Sequence, residues 1–129
     1  IATWTKPHYQ QILVHSSYSY VRETLARSQN KRIQDMLLQN KDETFVVLNT
    51  LAKYGHDSHR RILAKHENPY IRLVVIKYGN TKVIDLMLNR EEDYNVLFAI
   101  VQLGLERQKA IAKQRLKDLF GIDLDKEKE

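Results

Sequence analysis

The sequence predicts an all-α fold, a right-handed α-solenoid of about four short helix pairs with an extra helix at the N-terminal end. Aromatic residues recur about every 25 positions, at Tyr20, Phe45, Tyr70 and Tyr94. Turn-forming residues follow nine or ten positions later with nearly the same period, at Asn30, Gly55, Gly79 and Gly104. Such a period is typical of repeat proteins, in which each copy buries its apolar face by stacking on its neighbours.

The composition agrees with one helical domain. The chain has 129 residues, of which 43% are hydrophobic and 29% are charged, as in ordinary globular proteins. It contains four Gly and two Pro, too few for a strand-rich fold with many tight turns. We therefore expect a single repeat domain over residues 1–122, followed by a charged and frayed tail over residues 123–129.

The third copy shows the predicted helix pair most clearly, and we call its two helices A and B. Asn68 can cap helix A, and Pro69 follows at a position where its missing N–H is not needed. Gly79 is expected to end helix A by adopting a positive φ, and Asn80 or Thr81 then caps helix B. The apolar stripes are Ile71, Val74, Val75 and Tyr78 in helix A and Val83, Ile84, Met87 and Leu88 in helix B.

The other copies show the same pattern with different caps. Each has an apolar stripe at helical spacing, a turn and a second apolar stripe. The chain begins with a lone predicted helix over about 7–14, and the first pair has Val21 in helix A and Ile33 in helix B. In the second pair, helix A runs over about 43–53 and helix B starts after Asp57-Ser58. In the fourth pair, helix A contains Tyr94 and helix B runs over about 106–120.

The motif Asn-Pro-Tyr-Ile-Arg over residues 68–72, at the start of a helix A, resembles the signature of HEAT-like repeats. The period of about 25 residues is still more similar to that of the short leucine-rich-repeat-variant relatives. Val21-Arg22 matches half of the motif, whereas Val47 and Val96 stand where the Arg is expected in the other two copies.

This resemblance covers about residues 5–115 and has two implications. It implies an α-solenoid that serves as a binding scaffold, and it implies no reaction. It also implies a structural role for Arg22 and Arg72, since the Arg of related repeats ties neighbouring copies together through acidic or carbonyl partners.

Charge is sorted between the two edges of the predicted stack. The net charge is +5, and the edge where helix A ends and helix B begins is basic. Lys and Arg at helix N-termini can bind a polyanion such as nucleic acid. The alternative is a solvated edge that keeps the protein soluble. The residues of this basic ridge are Lys31, Arg32, His59, Arg60, Arg61, Lys82, Arg107 and Lys109.

The opposite edge, where helix B ends and helix A begins, is acidic. Carboxylates at the start of a helix complement its dipole, so this edge has a local explanation. Its acidic residues are Asp42, Glu43, Glu67, Glu91, Glu92 and Asp93.

Two further patterns each have a structural and a functional interpretation. The recurrent aromatic residues either pack against the next copy or form a ligand stripe, and we expect packing, as we do for Tyr54 and Tyr78. His56 and His59 stand three apart, as some zinc ligands do. With no Cys in the chain and Asp57 as the nearby carboxylate, we expect solvated turn histidines here.

These observations predict a non-enzymatic interaction module. We expect its concave face, built from the B helices, to bind a protein or peptide, with specificity set by exposed residues such as Gln34, Asp35, Lys65 and Asp85. Nucleic-acid binding through the basic ridge is the alternative. An enzyme is least supported, because the sequence has no Gly-rich phosphate loop and no Gly-x-Ser-x-Gly motif.

The sequence also bears on cofactors, location and assembly. It suggests no cofactor and no metal, and no apolar run approaches the roughly 20 residues that a transmembrane helix needs. We expect a cytoplasmic protein. Ile12, Leu13 and Val14 stand together in the lone first helix, which suggests self-association through that open end of the solenoid.

Overall fold

The computed structural model describes residues 7–126, and within this range it is all-helical, with nine helices and no strand. The backbone divides into two compact units, with the boundary between Leu63 and Ala64. Unit 1 contains α1 Pro7–Leu13, α2 Ser19–Ala26, α3 Lys31–Leu38, α4 Phe45–Tyr54 and α5 Asp57–Leu63. Unit 2 contains α6 Pro69–Tyr78, α7 Thr81–Leu88, α8 Tyr94–Leu103 and α9 Glu106–Phe120.

The predicted all-α class is confirmed. Helices α2, α4, α6 and α8 are the A helices, and α3, α5, α7 and α9 are the B helices. The boundaries differ from the expected ones by one or two residues, as is usual at frayed helix ends. No helix in the described part of the chain is both long and apolar enough to span a bilayer.

Side-chain caps begin most of these helices. Asn68 accepts a hydrogen bond from the Tyr70 N–H, and Pro69 is the first residue of α6, as expected. Asn80, rather than Thr81, caps α7. Asn30, Thr44 and Asp93 cap α3, α4 and α8 in the same way. These caps satisfy N–H groups that have no partner within the helix.

Within each unit, helices of the same kind pack side by side. In unit 1, α2 packs on α4 and α3 on α5; in unit 2, α6 packs on α8 and α7 on α9. The third residue of every A helix is buried, and so is the third residue of every B helix. These core positions are Val21, Val47, Ile71 and Val96 in the A helices and Ile33, His59, Val83 and Gln108 in the B helices.

The glycines that end the A helices have a different role from the predicted one. Gly79 has φ −79° and ψ 165°, an extended conformation that any residue adopts, so the expected positive φ is wrong. A Cβ on Gly79 would instead lie 2.7 Å from the Val75 carbonyl oxygen, closer than a carbon atom can approach. Steric exclusion therefore explains the glycine, whereas Gly121 after α9 does adopt a positive φ of 70°.

Candidate interaction surfaces

An arginine–glutamate pair joins α2 to α4 in unit 1. Arg22 lies in the first turn of α2, and its Nε and Nη2 donate to the two oxygens of Glu43 at 3.0 Å each. Its Nη1 donates to the Ser16 carbonyl. The Glu43 side chain is 1% exposed and directly precedes Thr44, the cap of α4. The starts of the two A helices therefore lie side by side.

The same arrangement recurs between α6 and α8 in unit 2. Arg72 donates to the two oxygens of Glu91 at 2.9 and 3.0 Å, and its Nη1 donates to the carbonyls of His66 and Glu67. One Glu91 oxygen also accepts from the N–H groups of Glu92 and Asp93. The expected structural role of both arginines is therefore confirmed.

A second kind of link joins neighbouring B helices, and the sequence did not reveal it. In unit 1, His59 Nδ1 accepts from the His56 backbone N–H at 2.9 Å, and its Nε2 lies 2.6 Å from Asp35 of α3. In unit 2, Gln108 Oε1 accepts from the Leu105 N–H, and its Nε2 donates to Asp85 of α7.

His59 and Gln108 therefore occupy the same repeat position and make the same two contacts. Each side chain is fully buried, accepts a hydrogen bond at the start of its own helix, and reaches a carboxylate on the preceding B helix. The signal in the sequence was a polar residue at the third position of a B helix, where the other copies carry Ile33 and Val83.

The rings of the two histidines make contacts within the protein. His59 uses both ring nitrogens in the contacts described above. His56 Nδ1 lies 3.0 Å from Gln34 Oε1, whose own amide nitrogen donates to the carbonyls of Ala26 and Tyr54. No cluster of three or more metal-ligating side chains occurs between residues 7 and 126. His59 is also buried, so the expectation of a solvated turn histidine is wrong for it.

The recurrent aromatic residues face solvent, so the predicted packing against the next copy is wrong. Their exposed fractions are 65% for Tyr20, 46% for Phe45, 61% for Tyr70 and 41% for Tyr94. The reason is rotational. They are the first or second residue of an A helix, whereas the third residue faces the core, and successive residues on a helix point about 100° apart.

In unit 2 the Tyr94 ring lies beside two further aromatic rings, a half-buried one and an exposed one. The Tyr94 ring is 4.5 Å from that of Phe98 and meets Phe120 edge-on at 5.7 Å. A small depression of about 60 Å³ beside the starts of α6 and α8 is lined by Pro69, Tyr70, Leu73, Asp93 and Asn95. Exposed tyrosines are common in protein interfaces, since one large ring combines apolar area with a polar end.

Much of the predicted basic ridge is engaged inside the protein. His59 is buried, and Arg60 donates to the carbonyls of Ala52 and Lys53 at the end of α4. Arg107 pairs with both oxygens of Asp85, and hydrogen bonds from Arg107 and Gln108 lower the pKa of that carboxyl to about 2.

The remaining ridge residues divide into two groups. Lys31 pairs with Asp35, and Lys109 lies 3.6 Å from Glu106 on its own helix. Arg32, Arg61 and Lys82 are exposed and form no ion pair among residues 7–126. The negative charge that the acidic edge exposes to solvent is likewise smaller than expected, because Glu43 and Glu91 are buried.

The B helices present a regular solvent-facing pattern that was not recognised in the sequence. The sixth residue of each is large and apolar, and three of the four are exposed by 39% or more. The second residue, one turn earlier on the same face, is basic in three of the four. The apolar B-face residues are Met36, Ile62, Leu86 and Ile111, and the second-position residues are Arg32, Ser58, Lys82 and Arg107.

Four positions were expected to be exposed and to set specificity, and for one of them, Gln34, this expectation is wrong. Gln34 is fully buried and holds the ends of α2 and α4 through the carbonyls of Ala26 and Tyr54. Asp35 and Asp85 are half-buried and engaged with His59 and Arg107, while Lys65 is exposed just after α5.

The first helix exposes less apolar surface than the sequence suggested. Ile12 is exposed and Leu13 is half-buried, but Val14 is buried. The preceding residues 1–6, which include Trp4, lie outside the described part of the chain.

Comparisons with known proteins identify no relative. No protein-family model, no curated protein and no solved structure matches the chain. What the protein does has to be inferred from its own surfaces, and in each unit the apolar B-face residues recur at one helix position.

Proposed function

We propose that the chain is a HEAT-like helical-repeat scaffold, a right-handed α-solenoid, that binds a protein or a peptide on its B-helix face and catalyses no reaction. The observation that carries this proposal is the exposed apolar residue at the sixth position of the B helices. In unit 2, Leu86 on α7 is 51% exposed and Ile111 on the adjoining α9 is 39% exposed.

The chemistry of this face suits a peptide with apolar anchors and acidic groups. Exposed aliphatic side chains gain about 25 cal/mol for each Å² of apolar surface that a partner removes from water. Lys82 lies one helical turn before Leu86 and forms no ion pair among the described residues, so it adds positive charge beside this apolar position. Arg107 lies one turn before Ile111 but is paired with Asp85. On a solenoid these positions would line the concave side.

Replacing the apolar B-face residues of unit 2 tests this proposal. The ligand is a peptide selected from a random display library. We expect the double variant Leu86→Glu with Ile111→Glu to bind this peptide at least about tenfold more weakly, since two apolar anchors become charged. Anisotropy of the labelled peptide measures the affinity. Leu103→Glu is the matched control, because Leu103 is 55% exposed but lies at the end of the A helix α8.

The results separate the proposal from its competitors. Equal loss in the Leu103→Glu control would indicate general disruption of unit 2, and unchanged binding in the double variant would show that the B-helix face is not the site. Selection of no peptide at all, together with salt-sensitive oligonucleotide binding, would favour the second candidate function.

That second candidate is nucleic-acid binding through the basic ridge. The observation in its favour is that Arg32 and Arg61 in unit 1 are exposed and free of ion pairs among the described residues. Phosphate contacts would make binding fall steeply with salt, and Arg32→Glu with Arg61→Glu should abolish it. Arg60 is unsuitable for this test, because its loss would release the end of α4.

A further inference from the structure

The C-terminal tail lies against one face of α9. Three lysines, Lys109, Lys113 and Lys117, stand four residues apart and so form a single row along the helix, with steps of about 6 Å. The described part of the tail folds back toward this row, although a frayed tail was expected. Asp125 pairs with Lys113 at 3.1 Å, and Asp123 lies 3.7 Å from Lys117.

The tail and the row enclose a groove of about 340 Å³. Its walls are one stripe of α9 and three successive tail residues. The groove is lined by Glu106, Lys109, Ala110, Lys113, Gln114, Lys117, Asp123, Leu124 and Asp125.

This stripe of α9 corresponds to the stripe of α7 that contacts the next B helix. Gln108 of α9 donates to Thr81 and Asp85, the first and fifth residues of α7. The first and fifth residues of α9 are Glu106 and Ala110, which line the groove. Where α7 has the buried residues Ile84 and Leu88, α9 has Lys109 and Lys113.

The lysines make this stripe of α9 polar, whereas the matching stripe of α7 is apolar and buried. A polar surface alone does not explain a row of like charges, which repel one another at four-residue spacing. Without the tail, three lysines would face a single carboxylate, that of Glu106. The row is therefore matched to an acidic segment.

We propose that the lysine row of α9 binds a partner peptide with an acid–apolar–acid pattern, and that Asp123-Leu124-Asp125 is an intramolecular competitor for the same lysines. The half-buried Leu124 between the two acids indicates a peptide rather than a nucleic-acid backbone, which offers no apolar side chain there. This groove is separate from the apolar B-face residues, and the proposal does not depend on them.

The tail is held weakly enough to be displaced. Its two ion pairs are partly exposed, and such pairs contribute little because water competes for both charges. Its advantage is tethering, which gives a short attached segment a high effective concentration. A peptide that also binds Lys109 can overcome this advantage, since the tail acids pair with Lys113 and Lys117 while Lys109 pairs with Glu106.

The test uses the full chain and a fluorescein-labelled synthetic peptide with two Asp-Leu-Asp units. We expect Asp123→Asn with Asp125→Asn to tighten peptide binding about tenfold, because two competing ion pairs are lost. Lys113→Gln with Lys117→Gln should weaken binding about tenfold. Two double variants outside the groove are the matched controls. Asp42→Asn with Glu92→Gln matches the tail variant, Lys41→Gln with Lys77→Gln matches the lysine variant, and both should leave binding unchanged.

Three results would overturn the proposal. The first is a tail variant that binds the peptide no more tightly than the wild type, and the second is a lysine variant that binds it equally well. The third is a gain in affinity for an oligothymidine in place of the peptide, which would assign the row to a nucleic-acid backbone. A peptide in which Gly replaces Leu should bind more weakly. Equal binding would show that the apolar residue of the acid–apolar–acid pattern does not contribute to recognition.

Discussion

Replacing Glu91 with Ala is expected to destabilise the protein by about 3 kcal/mol, the largest effect of any single substitution argued for this chain. The Glu91 side chain is 2% exposed and holds both donor nitrogens of Arg72. Its removal leaves a half-buried guanidinium without its carboxylate and takes the acceptor from two backbone N–H groups. Urea denaturation followed by circular dichroism measures the loss.

Two further variants separate the ion pair from other causes. Glu92→Ala changes a neighbouring, exposed carboxylate and should cost less than about 0.5 kcal/mol. Arg72→Met with Glu91→Met removes both charges and should restore most of the stability, since an apolar pair needs no desolvation of ions. If Glu91→Ala costs no more than Glu92→Ala, the pair does not hold α6 to α8.

The sequence predicted the helices well because the signals for them are local. An apolar stripe, a cap such as Asn68 and a turn residue such as Gly79 act within one helix and its immediate flanks. The Arg22 and Arg72 contacts were also predictable, but through a family resemblance and not through the physics of the sequence. Their partners, Glu43 and Glu91, could not be separated from the exposed carboxylates around them.

The predictions failed where a side chain's environment depends on its rotation about the helix axis. Tyr20 and Tyr70 stand one residue before the core positions Val21 and Ile71, so a shift of about 100° exposes them. A period of 25 residues locates the aromatic residue in each copy but does not say which way it faces. For His59 the error is the reverse: a histidine at a turn was expected to be solvated, and it is buried.

The basic ridge shows the same limitation for charge. The sequence places Arg60 and Arg61 side by side, and both were assigned to one surface. The structure directs Arg60 to the carbonyls at the end of α4 and leaves Arg61 in solvent. Charge along a sequence therefore overstates the charge available to a partner, since part of it satisfies backbone carbonyls at helix ends.

The buried His59 leads to the second large effect, a loss of stability in mild acid. Its Nδ1 accepts a backbone N–H, so the proton of the neutral ring must lie on Nε2, which donates to Asp35. Protonating Nδ1 would break the hydrogen bond at the start of α5. Burial lowers the pKa of His59 below 6.5, and this outweighs the opposing effect of the hydrogen bond to Asp35.

The sign of the pH effect follows from this direction. The native state keeps His59 neutral, while the unfolded chain takes up a proton as the pH falls below about 6.5. The stability contributed by neutral His59 is therefore present above that pH and is lost as the pH falls toward the lowered pKa of the native state. The slope approaches about 1.4 kcal/mol per pH unit in this interval.

Glutamine is the matched replacement, because Gln108 already makes the same two contacts in unit 2. We expect His59→Gln to fold with a stability within about 1 kcal/mol of the wild type at pH 8, since both hydrogen bonds are retained. Between pH 7 and pH 5, denaturation midpoints of the wild type should fall faster than those of the variant. The other histidines are present in both proteins, so the difference between the two curves isolates His59. Parallel curves would mean that His59 accepts a proton in the folded protein as readily as in the unfolded chain, and that the contact with Asp35 compensates for its burial.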